Sequence, residues 1–162
     1  MTVPDHLTHF DAAGRARMVD VGDKPATARE ALAEARVVMA RDTFEAARAG
    51  GTGKGDVRAI AEIAGVMAGK RASELIPLCH PIALTSLVVE VAPDETLPGF
   101  VITARARATG QTGVEMEALT AVSVAGLTVY DMLKARDRGM RIEGVRLLEK
   151  SGGASGSFRA EP

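Results

Sequence analysis

A chain of 162 residues makes one domain of ordinary size, long enough to bury about 70% of the surface its unfolded form exposes. With 46% hydrophobic and 25% charged residues it is no disordered chain, and a formal net charge of -1 argues against a nucleic-acid binder that works by bulk positive charge. Four Phe, one Tyr and no Trp supply a base-stacking platform poorly, so any anion must be held by local basic residues.

The single Cys79 permits no intrachain disulfide, which suits a reducing compartment. Met1 to Phe10 shows no secretory pattern. The longest uncharged apolar stretch, Ala118 to Tyr130, has 13 residues, short of the ~20 that span a bilayer. Together these predict a cytoplasmic protein without a membrane anchor. Small residues bury little area each, and 17 Gly beside many Ala lead us to expect that an oligomer interface supplements the core.

In chain order, the first ten residues are expected to be loose, and Ala16 to Val21 to form a short strand. Pro25 then opens a helix, with Ala31, Leu32, Ala35, Val38 and Met39 at helical spacing until the pattern fades by Arg48. After the cluster Gly50-Gly51-Thr52-Gly53-Lys54-Gly55, a second helix is predicted over 56–70, with Val57, Ile60, Ile63, Ala64 and Met67 on one face. Pro77 and Pro81 bracket a stiff loop holding Leu78, Cys79 and His80. Strands over 85–91 and 100–108 form a hairpin, and a long helix runs from about Gly113 to Arg136, its middle apolar on every side. Strands over 140–149 and 157–160 close the chain. Hairpins rather than alternating strands and helices point to an α+β fold, an antiparallel sheet with helices on one face.

Three constellations carry chemistry. The run Gly51 to Asp56 is no P-loop: Gly55 stands where the magnesium-binding hydroxyl belongs, and a helix rather than a strand precedes it. What survives is a glycine-rich helix start able to offer N–H groups to an anion beside Lys54, although on sequence alone a flexible interhelical loop with a solvated lysine is the more ordinary reading. Cys79-His80 lacks the further ligands a metal needs, so no metal site is expected, and His80 reads as either functional or structural. Thr112 to Glu115 fits a capping box, in which Glu115 bonds back to the helix start, while the same helix start could turn Glu115 and Met116 toward a ligand.

The third constellation is Asp131 with Lys134, three residues apart and so on one helix face, at the edge of the presumed burial. Burial and opposite charge would shift both groups, a common preparation for acid–base chemistry. Glu115 and Asp131 lie 16 residues apart, about 24 Å along a helix. They serve one small ligand only if two subunits share the site, or if the ligand is as long as a nucleoside triphosphate.

At these residues the chain resembles the cyclic pyranopterin monophosphate synthase family, also called molybdenum cofactor biosynthesis protein C. The likeness covers Leu7 to Asp11, Met18 to Val21, Lys54 to Val57, Lys70-Arg71 with Leu75 to Pro81, Thr109 to Thr120, Tyr130 to Lys134 and Arg146 to Gly153. It implies a ferredoxin-like α+β fold and a hexamer built as a trimer of dimers, with sites at subunit interfaces. The implied activity converts 3′,8-cyclo-7,8-dihydroguanosine 5′-triphosphate to cyclic pyranopterin monophosphate and diphosphate, without nucleic acid or membrane as partner. No resident cofactor is implied, and whether magnesium accompanies the triphosphate stays open.

Matched motif by motif, the resemblance makes Asp131, Lys54 and Lys134 catalytic. It places Leu78, Cys79, His80, Glu115 and Met116 against substrate and Lys70 against its phosphates, with Lys150 a weaker phosphate contact. Ala154 departs from the lysine that many such proteins carry there. Two rival readings are a non-catalytic ferredoxin-like nucleotide- or RNA-binding module, disfavoured by the composition, and a hydrolase that depends on Cys79.

Overall fold

The computed structural model describes His9, residues 13–49 and residues 55–161. Lys54, most of the glycine cluster and nearly all of the first ten residues lie outside that span, and the expectations placed on them with it. The elements are β1 (Thr27–Val38), α1 (Arg41–Arg48), α2 (Val57–Gly69), α3 (Ala72–Leu75), β2 (Leu84–Asp94), β3 (Gly99–Gly110), α4 (Glu115–Leu133), β4 (Arg141–Ser151) and β5 (Phe158–Arg159). The strands pair antiparallel in the order β2-β3-β1-β4-β5. α4 lies across β1, β3 and β4, and α2 packs on α4 and β2. This is the α+β architecture expected, in a ferredoxin-like arrangement.

The β2–β3 hairpin and the β4 and β5 strands form where the sequence places them, each with ends shifted by a few residues. The first long helix does not. Its N-terminal half is β1, the central strand, and only Arg41–Arg48 is helical. Alanine is the best helix former, and that preference misleads here. Ala31, Ala33, Ala35 and Val37 alternate at period two, and all four are fully buried under α4. β1 pairs with β3 on one side and β4 on the other, so its ladder is complete only as a strand.

The short strand expected over 16–21 reduces to a single bridging residue, Ala16. The capping box is also absent: Val114 occupies the N-cap of α4, and no side chain caps it.

α2 forms as expected, and its N-cap is explicit. The Asp56 carboxylate accepts from the Arg58 and Ala59 backbone N–H groups at 2.9 and 3.3 Å. Its inward face differs from the expectation. Val57, Ala61, Gly65, Ala68 and Gly69 are buried, while Ile60, Ile63 and Met67 are exposed by 40%, 62% and 52%. α2 and α4 approach so closely that a Cβ on Gly69 would sit 3.0 Å from the Glu117 carbonyl oxygen and 2.5 Å from Leu87 Cδ2. Only the small residues fit that contact, so the larger apolar ones turn outward. α4 meets the length and composition of a membrane span, but 56% of it is buried inside the protein, as in the core helix of a folded domain. One side of it stays open in the single chain, where Leu127 is 57% exposed.

Candidate active site

The loop after α3 and the start of α4 face each other. Between them lies a cleft of about 440 Å³, within the range that holds small ligands. The loop contributes Leu78, Cys79 and His80; the approach to α4 contributes Thr112, Gly113, Glu115 and Met116. Five of the expected substrate contacts, Leu78, Cys79, His80, Glu115 and Met116, therefore meet in one place. The segment before β1 closes a third wall with Val19, Val21 and Lys24. His80 Nε2 lies 2.7 Å from the Val19 carbonyl oxygen, so Nε2 carries the proton it donates there. That bond ties the wall to the loop and gives His80 a structural duty beside its place on the cleft.

Glu115 is not a helix cap. Its Oε1 pairs with Lys150 Nζ at 3.1 Å, and its carboxylate folds back over Gly113, where a Cβ would lie 1.9 Å from Oε2. Lys150 also donates to Ser155 Oγ at 3.2 Å. Lys150, given only a minor role by the resemblance, is thus fixed at the cleft by a partner from another element.

Beneath Cys79 lies a group the sequence reading did not single out. Glu117 is 3% exposed, and its Oε1 accepts from the Cys79 thiol at 3.9 Å. Among the described residues its Oε2 is buried with no hydrogen-bond partner. Burial pushes the Glu117 carboxyl above the ordinary glutamate range, and the nearby Glu115 charge adds to the shift. Burial likewise pushes the Cys79 thiol up, helped by Glu117 and Glu115. A thiol held protonated in this way is a poor nucleophile at neutral pH, which weighs against a hydrolase built on Cys79. Glu117 stands two residues from Glu115 in a Glu-x-Glu pattern, and nothing in that pattern says which carboxylate is buried.

Asp131 and Lys134 form their pair, Lys134 Nζ donating to Asp131 Oδ1 at 2.6 Å. The burial expected of them is missing in the single chain, where their side chains are 64% and 53% exposed. The Asp131 hydrogen bond, and then its charge, hold the Lys134 ammonium above its ordinary range, the direction opposite to that of a lysine made basic near neutrality. They sit at the far end of α4 from Glu115, and none of the cleft's lining comes from them. Lys70 caps the C-terminus of α2 as an exposed residue, likewise outside the cleft lining.

By fold and site, this is an α+β protein with a cleft lined by His80, Glu115 and Lys24, with the buried Glu117 bonded to Cys79 and Lys150 paired to Glu115. Comparison with known proteins makes the assignment particular. The sequence model of the MoaC family matches residues 18–153, most of the chain, and the protein belongs to that family. The chain is 64% identical over 156 residues to the cyclic pyranopterin monophosphate synthase of Methylobacterium sp. strain 4-46, covering 96% of this chain and 98% of that protein. It is 62% identical over the same length, with the same coverage, to the protein of that name from Methylobacterium nodulans.

Proposed function

We propose that this protein is a cyclic pyranopterin monophosphate synthase of molybdenum cofactor biosynthesis, a diphosphate-releasing lyase acting on 3′,8-cyclo-7,8-dihydroguanosine 5′-triphosphate. The single observation that carries the reading is 64% identity, over 96% of the chain, to a relative of that name. The cleft formed by Leu78 to His80 with Glu115 and Met116 supports it. We place the enzyme in the cytoplasm without a resident cofactor; any magnesium would arrive with the triphosphate.

The reaction joins proton transfers on the fused ring to a phosphate displacement. A sugar oxygen attacks the α-phosphorus, the bond to the β-phosphate breaks, and diphosphate departs. We assign the proton transfers to Lys54 and Lys134, with Asp131 holding Lys134 in place. His80, Lys70 and Lys150 neutralise the phosphates as charge moves onto the leaving diphosphate. Lys134 is held in its charged form within one chain. It therefore enters the reaction as the acid, or loses its proton only where a neighbouring protomer's cations face it.

The site is completed by a second protomer in a homohexamer arranged as a trimer of dimers. The apolar side chains that α2 and α4 leave exposed, Ile63, Met67 and Leu127, support this reading, because subunit contacts would cover them.

The test is diphosphate release from the cyclic nucleotide by purified protein. Lys54→Ala and Lys134→Ala should each lower the rate by roughly 10²–10⁴-fold, the usual worth of a positioned acid or base. Cys79→Ser should keep most of it. A wild-type protein that binds the nucleotide and releases no diphosphate would be a binding module instead, and loss of activity in Cys79→Ser would favour the hydrolase.

A further inference from the structure

Arg29 lies near the start of β1 and is 9% exposed, a buried guanidinium outside every role considered so far. Its Nε donates to the Gly110 carbonyl oxygen at 3.1 Å, at the end of β3. Its other face rests on the glycines that follow β4. A Cβ built on Gly153 would sit 1.6 Å from Arg29 Nη1 and 2.6 Å from Cζ, and one on Gly152 would sit 3.3 Å from Arg29 Cδ. Both glycines have left-handed φ, +98° at Gly152 and +73° at Gly153, so the chain reverses there in a conformation that L side chains avoid.

The β3 end held by Arg29 leads to the cleft, and the β4 end leads to Lys150, whose partner Glu115 lines it. Gly110 opens the turn to Thr112 and Gly113, which line it. Gly152 and Gly153 sit inside the loop from Lys150 to Gly156, closed by the Gly156 N–H donating to the Gly153 carbonyl at 3.2 Å. In that loop Lys150 Nζ reaches both Ser155 Oγ and Glu115 Oε1. A planar cation between two strand ends fixes their separation more tightly than a flexible ammonium would.

We propose that Arg29 is a positioning residue, a clamp between the ends of β3 and β4 that sets the Lys150–Glu115 pair at the rim of the substrate cleft. The proposal rests on reading that cleft as the substrate site. Arg29 acts through the loop, and its loss loosens the hold on substrate more than it slows the chemistry.

The experiment uses the assembled protein with Arg29→Ala, Arg29→Lys, Gly153→Ala and the double variant Arg29→Ala/Gly153→Ala. Amide hydrogen exchange over 110–116 and 150–156 is measured beside KM and kcat for diphosphate release. Arg29→Ala should raise exchange in those two segments, with the β2–β3 hairpin still protected. KM should rise about tenfold while kcat stays within about threefold, the pattern of lost uniform binding. Arg29→Lys should fall part-way.

Gly153→Ala places a methyl group where the guanidinium sits, so it should cost much less in the Arg29→Ala background than in wild type. Only the left-handed φ would then be penalised, and the non-additivity reports the contact itself. The proposal is overturned if Arg29→Ala leaves exchange and KM unchanged, if protection is lost throughout with KM intact, or if the two variants' effects simply add. Should Arg29→Ala not fold, Arg29→Lys and Gly153→Ala decide the question by the same measures. If the wild-type protein releases no diphosphate, the proposed function falls, and the exchange data alone then uphold or reject the clamp.

Discussion

At limiting substrate, mixing protomers that carry Glu115→Ala with protomers that carry Asp131→Ala restores diphosphate release, whereas each variant alone is at least ~10-fold slower than wild type. The expectation follows from α4. Glu115 begins the helix and Asp131 lies in its last turn, 16 residues on, about 24 Å away at 1.5 Å per residue. Glu115 lines the cleft and Asp131 does not, and in one chain Asp131 and Lys134 are mostly exposed. If one protomer lends its cleft and its neighbour lends Asp131 and Lys134, a mixed dimer holds one site with both lesions and one with neither. Random assortment then returns roughly a quarter of wild-type activity, because half the dimers are mixed and half of their sites are intact. The measurement is diphosphate release after the two variants are dissociated and reassembled together. A mixture no faster than its parents means that the two residues do not meet across subunits.

Glu117→Gln raises stability at neutral pH and flattens its pH dependence. The Glu117 carboxyl is desolvated and its proton is held above the ordinary glutamate range. In the window between the ordinary value and the raised one, the folded state binds more protons than the unfolded state, so stability falls as pH rises. Above the raised value the loss is complete and the curve levels. Glutamine has the same shape and does not titrate, so the variant lacks this fall. At pH 7 it should exceed wild type by roughly 1 kcal/mol, a rise in Tm of about 2–4 °C for a chain this long. The Cys79 thiol, pushed up partly by Glu117, should titrate lower in the variant and alkylate faster near neutrality. Thermal unfolding between pH 5 and 8 checks the first outcome, and thiol alkylation rates check the second. An unchanged pH slope would mean that Glu117 is ionised in the folded protein at low cost.

Local signals suffice to place the hairpin of β2 and β3, the long helix α4, the proline-bracketed loop of Leu78 to His80 and the family. β-branched runs, a 13-residue apolar stretch and paired prolines act over a few residues and need no distant partner. Glu115 and Met116 were legible as a helix start for the same reason.

Tertiary structure decided what depends on which element lies alongside. Ala31, Ala33, Ala35 and Val37 form a strand because β3 and β4 complete its ladder and α4 covers it. The glycine face of α2 turns inward, against the pull of its isoleucines, because α4 lies too close for larger side chains. Glu115 pairs with Lys150, 35 residues away in sequence, instead of capping its own helix. Glu117 is buried, and Arg29 bridges two strand ends, through contacts with segments distant along the chain. Hydrogen-bond partners and burial at such positions are set by the packing of whole elements, which a local pattern of residues does not encode.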